Sequence, residues 1–156
     1  MPRLYVAIIG ADESASETNL RDAYTAGVWL AQREVIVVTG GLGGVMGAAA
    51  DGVASVGGVV IGLLPGLDRS ATHPSVTIAI PTGLGELRNG LVVRSADALL
   101  AIGGSWGTLS EIALAMRTEV PLVAVGSPIP TGLPVQETTT VEEALPLVLA
   151  AAQRRR

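Results

Sequence analysis

The sequence contains no lysine, because all ten of its basic residues are arginine. A pyridoxal phosphate enzyme needs a lysine to hold its cofactor as a Schiff base, and a P-loop NTPase needs the lysine of its phosphate loop. Both classes are therefore excluded. Cysteine is also absent, which excludes disulfides and catalysis by a thiolate.

Aromatic residues make up only 3% of the 156 residues and phenylalanine is absent, although 49% of the chain is hydrophobic. The core must therefore be built from Val, Leu, Ile and Ala, which is typical of parallel strands buried on both faces. No hydrophobic run approaches the length of a membrane span, and the acidic segment 11–17 directly follows the first run. We expect one domain over residues 1–156 in a soluble, cytoplasmic protein with no membrane partner.

Positive charge is scarce as well. The formal net charge is −4, and three of the arginines lie at 154–156, so the rest of the chain is more acidic still. A broad surface for nucleic acid would need clustered positive charge. We therefore expect no nucleic-acid partner.

Strand-like runs alternate with helix-like stretches along the chain. The strand-like runs lie at 4–9, 35–39, 58–63, 76–80, 97–102 and 121–125. The helix-like stretches lie at 17–32, 44–56, 85–95, 107–118 and 141–152. The least regular segments are 64–75 and 126–140. This alternation predicts a single α/β, Rossmann-like domain with a mostly parallel sheet of six or seven strands and helices on both faces.

Glycine-rich turns follow several of the predicted strands. In an open α/β sheet, ligands bind in the crevice beyond the carboxyl ends of the strands. Segments 39–47 and 103–108 each lead into a helix, where backbone N–H groups can converge on a phosphate. A single glycine turn is as well explained by tight turning alone, but two at one sheet edge favour a binding site. In the first turn the candidates are Gly40, Gly41, Gly43 and Gly44.

Two other interpretations of the glycine turns fail. The turn at 10–16 has one glycine where a dinucleotide fingerprint needs three, and two acidic residues lie where a pyrophosphate would bind. Residues 103–107 match the G-x-S-x-G of a nucleophile elbow. However, the only histidine, His73, precedes Ser105, whereas the triad order requires it to follow. A serine without a base is not activated, so no esterase is expected.

Three single residues allow both a structural and a functional role. Glu111 completes a capping-box pattern that begins at Thr108, or it binds ribose hydroxyls or stabilises a cationic sugar; the residue pattern gives the two roles equal weight. Trp106 packs over the turn or forms one wall of a ligand pocket, and we favour the wall. Arg88 lies at the start of a predicted helix, where an exposed arginine is the usual finding.

Four longer segments follow one another along the chain: "TGGLGGVMGAAADGV", "VIGLLPG", "TGLGELRN" and "SADALLAIGGSWGTLSEIALA". Together, in this order and spacing, they resemble the LOG-like superfamily and, more closely, its molybdenum-cofactor carrier branch. The resemblance implies a Rossmann-like sheet and a homodimer or higher homo-oligomer. Cytokinin-activating members hydrolyse the N-glycosidic bond of nucleoside 5′-monophosphates. The lysine decarboxylase label used for part of this superfamily is not supported, because the chain has no lysine to bind pyridoxal phosphate.

The hydrolase signature resembles P-G-G-x-G-T-x-x-E with an upstream Arg-Lys pair. By this resemblance Glu111 corresponds to the catalytic glutamate and Arg88 to the arginine of the pair. The residues that correspond to the phosphate-binding turn are Gly104, Ser105, Gly107 and Thr108.

The chain departs from that signature at three positions. Gly103 replaces the proline, Ser105 replaces the second glycine, and Asn89 replaces the lysine of the pair. The lost lysine removes a charge that could hold a phosphate or a base. The resemblance to the carrier branch is strengthened by the Arg-Asn form of the pair.

The sequence therefore supports two hypotheses. In the first, the two glycine turns bind a small phosphorylated ligand, either a nucleoside monophosphate or a pterin-type molybdenum cofactor, and Arg88, Asn89 and Glu111 line the pocket. In the second, the protein is a phosphoribohydrolase in which Arg88 and Glu111 are catalytic. Neither hypothesis requires a metal or a further cofactor. A structural oligomer with a vestigial site is a remote third alternative.

Overall fold

The computed structural model describes residues 2–156, and a seven-stranded parallel sheet forms its centre. The strands are β1 (Tyr5–Gly10), β2 (Ile36–Thr39), β3 (Val60–Leu64), β4 (Ile78–Pro81), β5 (Ala98–Ile102), β6 (Leu122–Val125) and β7 (Gln136–Thr138). The helices are α1 (Glu17–Ala31), α2 (Gly44–Ser55), α3 (Arg88–Arg94), α4 (Trp106–Arg117) and α5 (Val141–Arg155), and a 3₁₀ turn (Gly85–Leu87) precedes α3. The predicted Rossmann-like α/β fold is confirmed.

Helices cover both faces of the sheet, because the central strands are apolar on both sides. Along β1, Val6 and Ile8 pack in a core with α1, α2 and α5. The alternate residues Ala7 and Ile9 pack in a second core with α3 and α4. This alternation follows from the two-residue period of a strand.

The strand order is β4-β3-β2-β1-β5-β6-β7, so the direction of winding reverses between β1 and β5. These two strands pair directly, with Val6 opposite Ala98. The backbone N–H of Tyr5 also donates to Asp97 Oδ2 at 2.8 Å, across 92 residues of chain. The crevice at this reversal is where ligands bind in open α/β sheets.

The structure differs from the sequence prediction mainly at short elements. Strand β7 lies within segment 126–140, which was predicted to be irregular; it has only three residues, which are polar and mostly exposed. The helix predicted at 85–95 is divided into the 3₁₀ turn and the seven-residue α3. Among residues 2–156, no helix has the length and apolarity needed to cross a membrane.

Candidate functional site

A cavity of about 310 Å³ opens beyond the carboxyl ends of β1 and β5. Its walls come from β1, from the loops that follow β1, β2 and β3, from the 3₁₀ turn, and from the amino ends of α3 and α4. The predicted residues among its lining are Gly40, Arg88, Asn89, Ser105, Gly107, Thr108 and Glu111. The structure therefore brings together both predicted catalytic residues and most of the second glycine turn.

The amino end of α4 forms one wall of the cavity. Ser105 is its N-cap, and the backbone N–H of Ser105 donates to Thr108 Oγ1 at 3.2 Å. The N–H of Leu109 donates to Ser105 O at 2.9 Å, which is the first hydrogen bond of the helix. The N–H groups of Trp106 and Gly107 have no backbone acceptor within the helix, and they lie at its positive end.

Gly107 leaves this helix end open to the cavity. A Cβ on Gly107 would meet only Asn89 Nδ2, at 3.9 Å. Space for a ligand therefore reaches the backbone at this position, as a phosphate-binding turn requires.

The position of Glu111 in α4 excludes one of the two roles predicted for it. Because α4 is capped by Ser105, Glu111 lies in the second turn of the helix and not at the third position after a cap. The capping-box interpretation of Thr108 and Glu111 is wrong. The Glu111 side chain lines the cavity, and the residue is only 7% exposed.

Burial is the main influence on the pKa of the Glu111 carboxyl group. Removal from water raises the pKa of its carboxyl to about 8, and the nearby Arg88 charge offsets part of that rise. The carboxyl group of the free protein is therefore mostly protonated at neutral pH. In that state it can both donate and accept a hydrogen bond.

Arg88 is the cationic partner within the same cavity. Burial lowers the pKa of its guanidinium, while the Glu111 charge raises it. Its Nε is buried without a hydrogen-bond partner. Within residues 2–156 the ion pairs closer than 4.0 Å join His73 to Asp51 and Arg156 to Asp97, so Arg88 and Glu111 face one cavity without direct ionic contact.

Both the oxygen and the nitrogen of the Asn89 side-chain amide form hydrogen bonds. Its Oδ1 accepts a hydrogen bond from Arg88 Nη1, and its Nδ2 donates to Ser110 Oγ at 3.1 Å. Ser110 Oγ in turn donates to the carbonyl oxygen of Gly107 at 2.7 Å. A chain of hydrogen bonds therefore runs from the guanidinium of Arg88 to the first turn of α4.

The first glycine turn contributes less to the cavity than the sequence predicted. Asp12 lies against it, so that a Cβ on Gly43 would come within 2.8 Å of Asp12 Oδ1. The N–H of Val45, at the start of α2, donates to Ala11 O at 3.0 Å. A carboxylate beside this helix end disfavours a phosphate there, because the two negative charges would repel each other.

The remaining predicted residues lie outside the cavity. Gly43 and Gly44 line a neighbouring cavity together with Asp12 and His73. Gly41 packs against the Leu64 side chain, and Gly104 packs against Thr108. Trp106 is 86% exposed and does not line the cavity, so the favoured role of a pocket wall finds no support in this arrangement.

Sequence reasoning missed several members of the site, among them Asp12 and Ser110. Asp12 was considered only as an argument against a dinucleotide, although its position directly after the central strand β1 was a signal for this crevice. Ser110 carries no recognisable sequence signal, because serine in a helix is usually solvated. In the part of the chain that the structure describes, no three His, Asp or Glu side chains are grouped so as to hold a metal ion.

Solved structures similar to this chain include the molybdenum cofactor binding protein of Rippkaea orientalis. That structure has a TM-score of 0.90 and 31% identity, with 96% of this chain and 98% of the other covered. The Moco carrier protein of Chlamydomonas reinhardtii gives a TM-score of 0.88 and 30% identity, with 98% and 99% covered.

A curated plant relative is described as "Probable cytokinin riboside 5'-monophosphate phosphoribohydrolase", from Oryza sativa subsp. japonica. It is 32% identical over 111 residues, which are 69% of this chain but only 49% of the rice protein. This chain therefore spans about half the length of that relative.

These similarities confirm the predicted resemblance to the LOG-like superfamily near its carrier branch. The model of the SLOG cluster4 family matches residues 3–152, nearly the whole chain. The chain therefore belongs to the SLOG cluster4 family.

Proposed function

We propose that the cavity beyond the carboxyl ends of β1 and β5 binds a small phosphorylated, nucleotide-like ligand. The observation that carries this proposal is the pair Arg88 and Glu111, two ionisable groups that share one cavity without contacting each other. Polar groups removed from water cost free energy unless they find partners. A ligand that lies between them would supply those partners.

The amino end of α4 is the proposed site of the phosphate. Its backbone N–H groups and the positive end of the helix favour an anion, and Gly107 allows close approach. The Asp12 carboxylate beside α2 leaves α4 as the better of the two predicted phosphate sites. Arg88 would then contact the phosphate or the base, and Glu111 the sugar or ring.

The similar carrier and binding proteins support a pterin-type cargo as one member of this ligand class. The cavity residues fit such a ligand, since α4 offers N–H donors for a phosphate while Arg88 and Glu111 offer a donor and an acceptor for a ring edge. The volume of about 310 Å³ lies near the lower limit of typical ligand pockets. Only part of a large ligand would therefore be enclosed.

Hydrolysis of a nucleoside monophosphate is the second candidate function. It is favoured by the raised pKa of Glu111, because an acid that titrates near the working pH is suited to proton transfer. The deprotonated form would stabilise the positive ribosyl centre or orient the attacking water. The rice relative supports this candidate, whereas Asn89 in place of lysine argues against it.

The proposed assembly is a homodimer or higher homo-oligomer of a one-domain, cytoplasmic protein. The exposed apolar side chains of Leu67, Leu87 and Trp106 support self-association, because contact between copies of the chain would remove them from water.

The first experiment incubates the purified protein with nucleoside 5′-monophosphates and with the matching nucleosides. Differential scanning fluorimetry follows the melting temperature, and chromatography follows free base and ribose 5-phosphate. We expect the monophosphates, but not the nucleosides, to raise the melting temperature without release of base. Base release that is lost in Glu111→Gln would instead show the hydrolase.

A parallel measurement covers the pterin-type cargo. Freshly purified protein is denatured with acid, and the supernatant is examined for pterin fluorescence. Absence of any pterin, together with no thermal shift and no base release from any monophosphate, would contradict the proposed function.

A further inference from the structure

The gap between Arg88 and Glu111 needs a physical explanation. A buried carboxyl group that an arginine approaches loses its proton and forms an ion pair, because the nearby positive charge lowers the pKa of the carboxyl, and the arginine side chain is long and flexible enough to approach. Both groups line one cavity of about 310 Å³, yet they are not within 4.0 Å of each other. Something must therefore hold the guanidinium away from the carboxyl group.

The hydrogen bonds of Asn89 keep the Arg88 guanidinium in place. Arg88 Nη1 donates to Asn89 Oδ1, and Asn89 is buried, so its amide has little freedom to follow a moving guanidinium. On its other side Asn89 Nδ2 is fixed by Ser110 Oγ, which is itself fixed by Gly107 O. The amide thereby connects the start of α3 to the first turn of α4.

We propose that Asn89 and Ser110 act as a restraint that holds Arg88 apart from Glu111 and so keeps the ligand-binding gap open. Both are positioning residues, because they act through Arg88. Only the role of the gap in ligand binding rests on the proposed function. The restraint itself can be tested in the protein without ligand.

The charged surroundings of Glu111 make the test specific. The other ionisable side chains that line its cavity are Asp12, which follows β1, Glu86 in the 3₁₀ turn, and Arg88 at the start of α3. Arg88 is the only cation among them. If Arg88 were released, it would move onto Glu111, and the ion pair would favour the charged carboxylate.

The experiment measures the titration of Glu111 directly. Protein labelled with ¹³C at the glutamate carboxyl groups is titrated by NMR from about pH 5 to about pH 9, and the Glu111 signal is assigned by its loss in Glu111→Gln. In Asn89→Ala we expect the midpoint to fall by roughly one to three units. An unchanged midpoint would overturn the proposal. A raised midpoint would overturn it as well, because Arg88 would then have moved away from Glu111.

Ser110 gives an independent variant, since its side chain is exposed and tolerates substitution. Ser110→Ala should lower the Glu111 midpoint in the same direction, and Ser110→Thr, which keeps the hydroxyl, should restore the original value. The matched control is Ser95→Ala. Ser95 Oγ donates to Val92 O at 3.1 Å at the end of α3, so this variant removes a similar hydrogen bond outside the restraint.

A purely structural role for the two residues gives a different result. Loss of helix contacts alone would lower the melting temperature of Ser110→Ala and leave the Glu111 midpoint unchanged, which would contradict the restraint. Failure of wild-type protein to bind any monophosphate or pterin would contradict the proposed function and leave the titration result intact. The two failures are therefore distinguishable.

Discussion

The guanidinium of Arg88 lies against Gly40, so closely that a Cβ on Gly40 would come within 2.7 Å of Arg88 Nη2. The absence of a side chain at Gly40 therefore determines where the positive charge of the cavity can lie. Met46 Sδ, also 2.7 Å from that Cβ position, limits the space on another side. Gly40, which belongs to the first glycine turn, therefore influences the site by leaving space for the Arg88 guanidinium.

Gly40→Ala should weaken ligand binding without unfolding the protein. The colliding atoms are the ends of flexible side chains, so they can move, but Arg88 must then leave its position. We expect the dissociation constant for the preferred monophosphate to rise roughly tenfold or more, the value of one charged hydrogen bond. Isothermal titration calorimetry measures it. Gly90→Ala is the control, because its Cβ would meet nothing within 4 Å, and it should bind normally.

Glu111→Gln should change how stability depends on pH. The pKa of Glu111 is about 8 in the folded protein against a usual 4.5, so the unfolded chain loses this proton first. The contribution of Glu111 to the free energy of unfolding is largest below pH 4.5 and falls as the pH rises to about 8. Gln stays neutral, so the variant should be more stable than the wild type at pH 8, by on the order of a few kcal/mol.

Urea unfolding at a series of pH values tests this difference. Asp22 also has a pKa raised by burial and by Glu142, but both proteins retain it, so the difference between the two curves reports Glu111. Glu137→Gln, on the exposed edge strand β7, serves as the control. Parallel curves for the wild type and Glu111→Gln would show that Glu111 titrates normally.

Gly107→Ala and Gly107→Val should form a graded series. A Cβ fits at this position with only Asn89 Nδ2 in contact, at 3.9 Å, so both variants should fold. Each added methyl group would occupy the approach to the N–H groups of α4, and we expect affinity for a monophosphate to fall further with Val than with Ala. Calorimetry compares the two. Unaltered affinity in Gly107→Val would place the phosphate elsewhere.

Self-association should depend on exposed apolar side chains such as that of Leu87. We expect sedimentation velocity to show a dimer or a larger oligomer, and Leu87→Glu to shift it toward monomer, because a buried charge in an interface is costly. Leu87 is 78% exposed in the single chain, so the substitution should leave the melting temperature of the monomer unchanged. A monomeric wild type would contradict this prediction.

The fold was largely predictable because the strands have a simple composition. Strand β5 is buried at every residue, and its apolar run was recognised within one residue of its bounds. The alternation of such runs with helical stretches then leaves few topologies. Strand β7 could not be predicted in the same way, because three polar residues on a sheet edge carry no hydrophobic pattern.

Seven of the predicted site residues line one cavity, but the contacts among them could not be predicted from the sequence. Two overlapping patterns, Ser105 to Thr108 and Thr108 to Glu111, both suit a helix start, and only the three-dimensional structure selects the first. The contact of Asp12 with Gly43 joins two loops that lie about thirty residues apart, and no local rule indicates it. Long-range packing therefore decides which glycine turn can accept an anion.

The pairing of β1 with β5 has a consequence for how the protein is made. The N–H of Tyr5 finds Asp97 only after 92 further residues have been synthesised, and pairings this distant form slowly. The cavity is lined by β1 and by the amino end of α4, which follows β5, so a nascent chain that lacks β5 and α4 has an incomplete site. A ligand bound there would stabilise the late-formed half of the sheet by mass action. On the proposed function, retention of ligand would thus require that the chain has folded as far as α4.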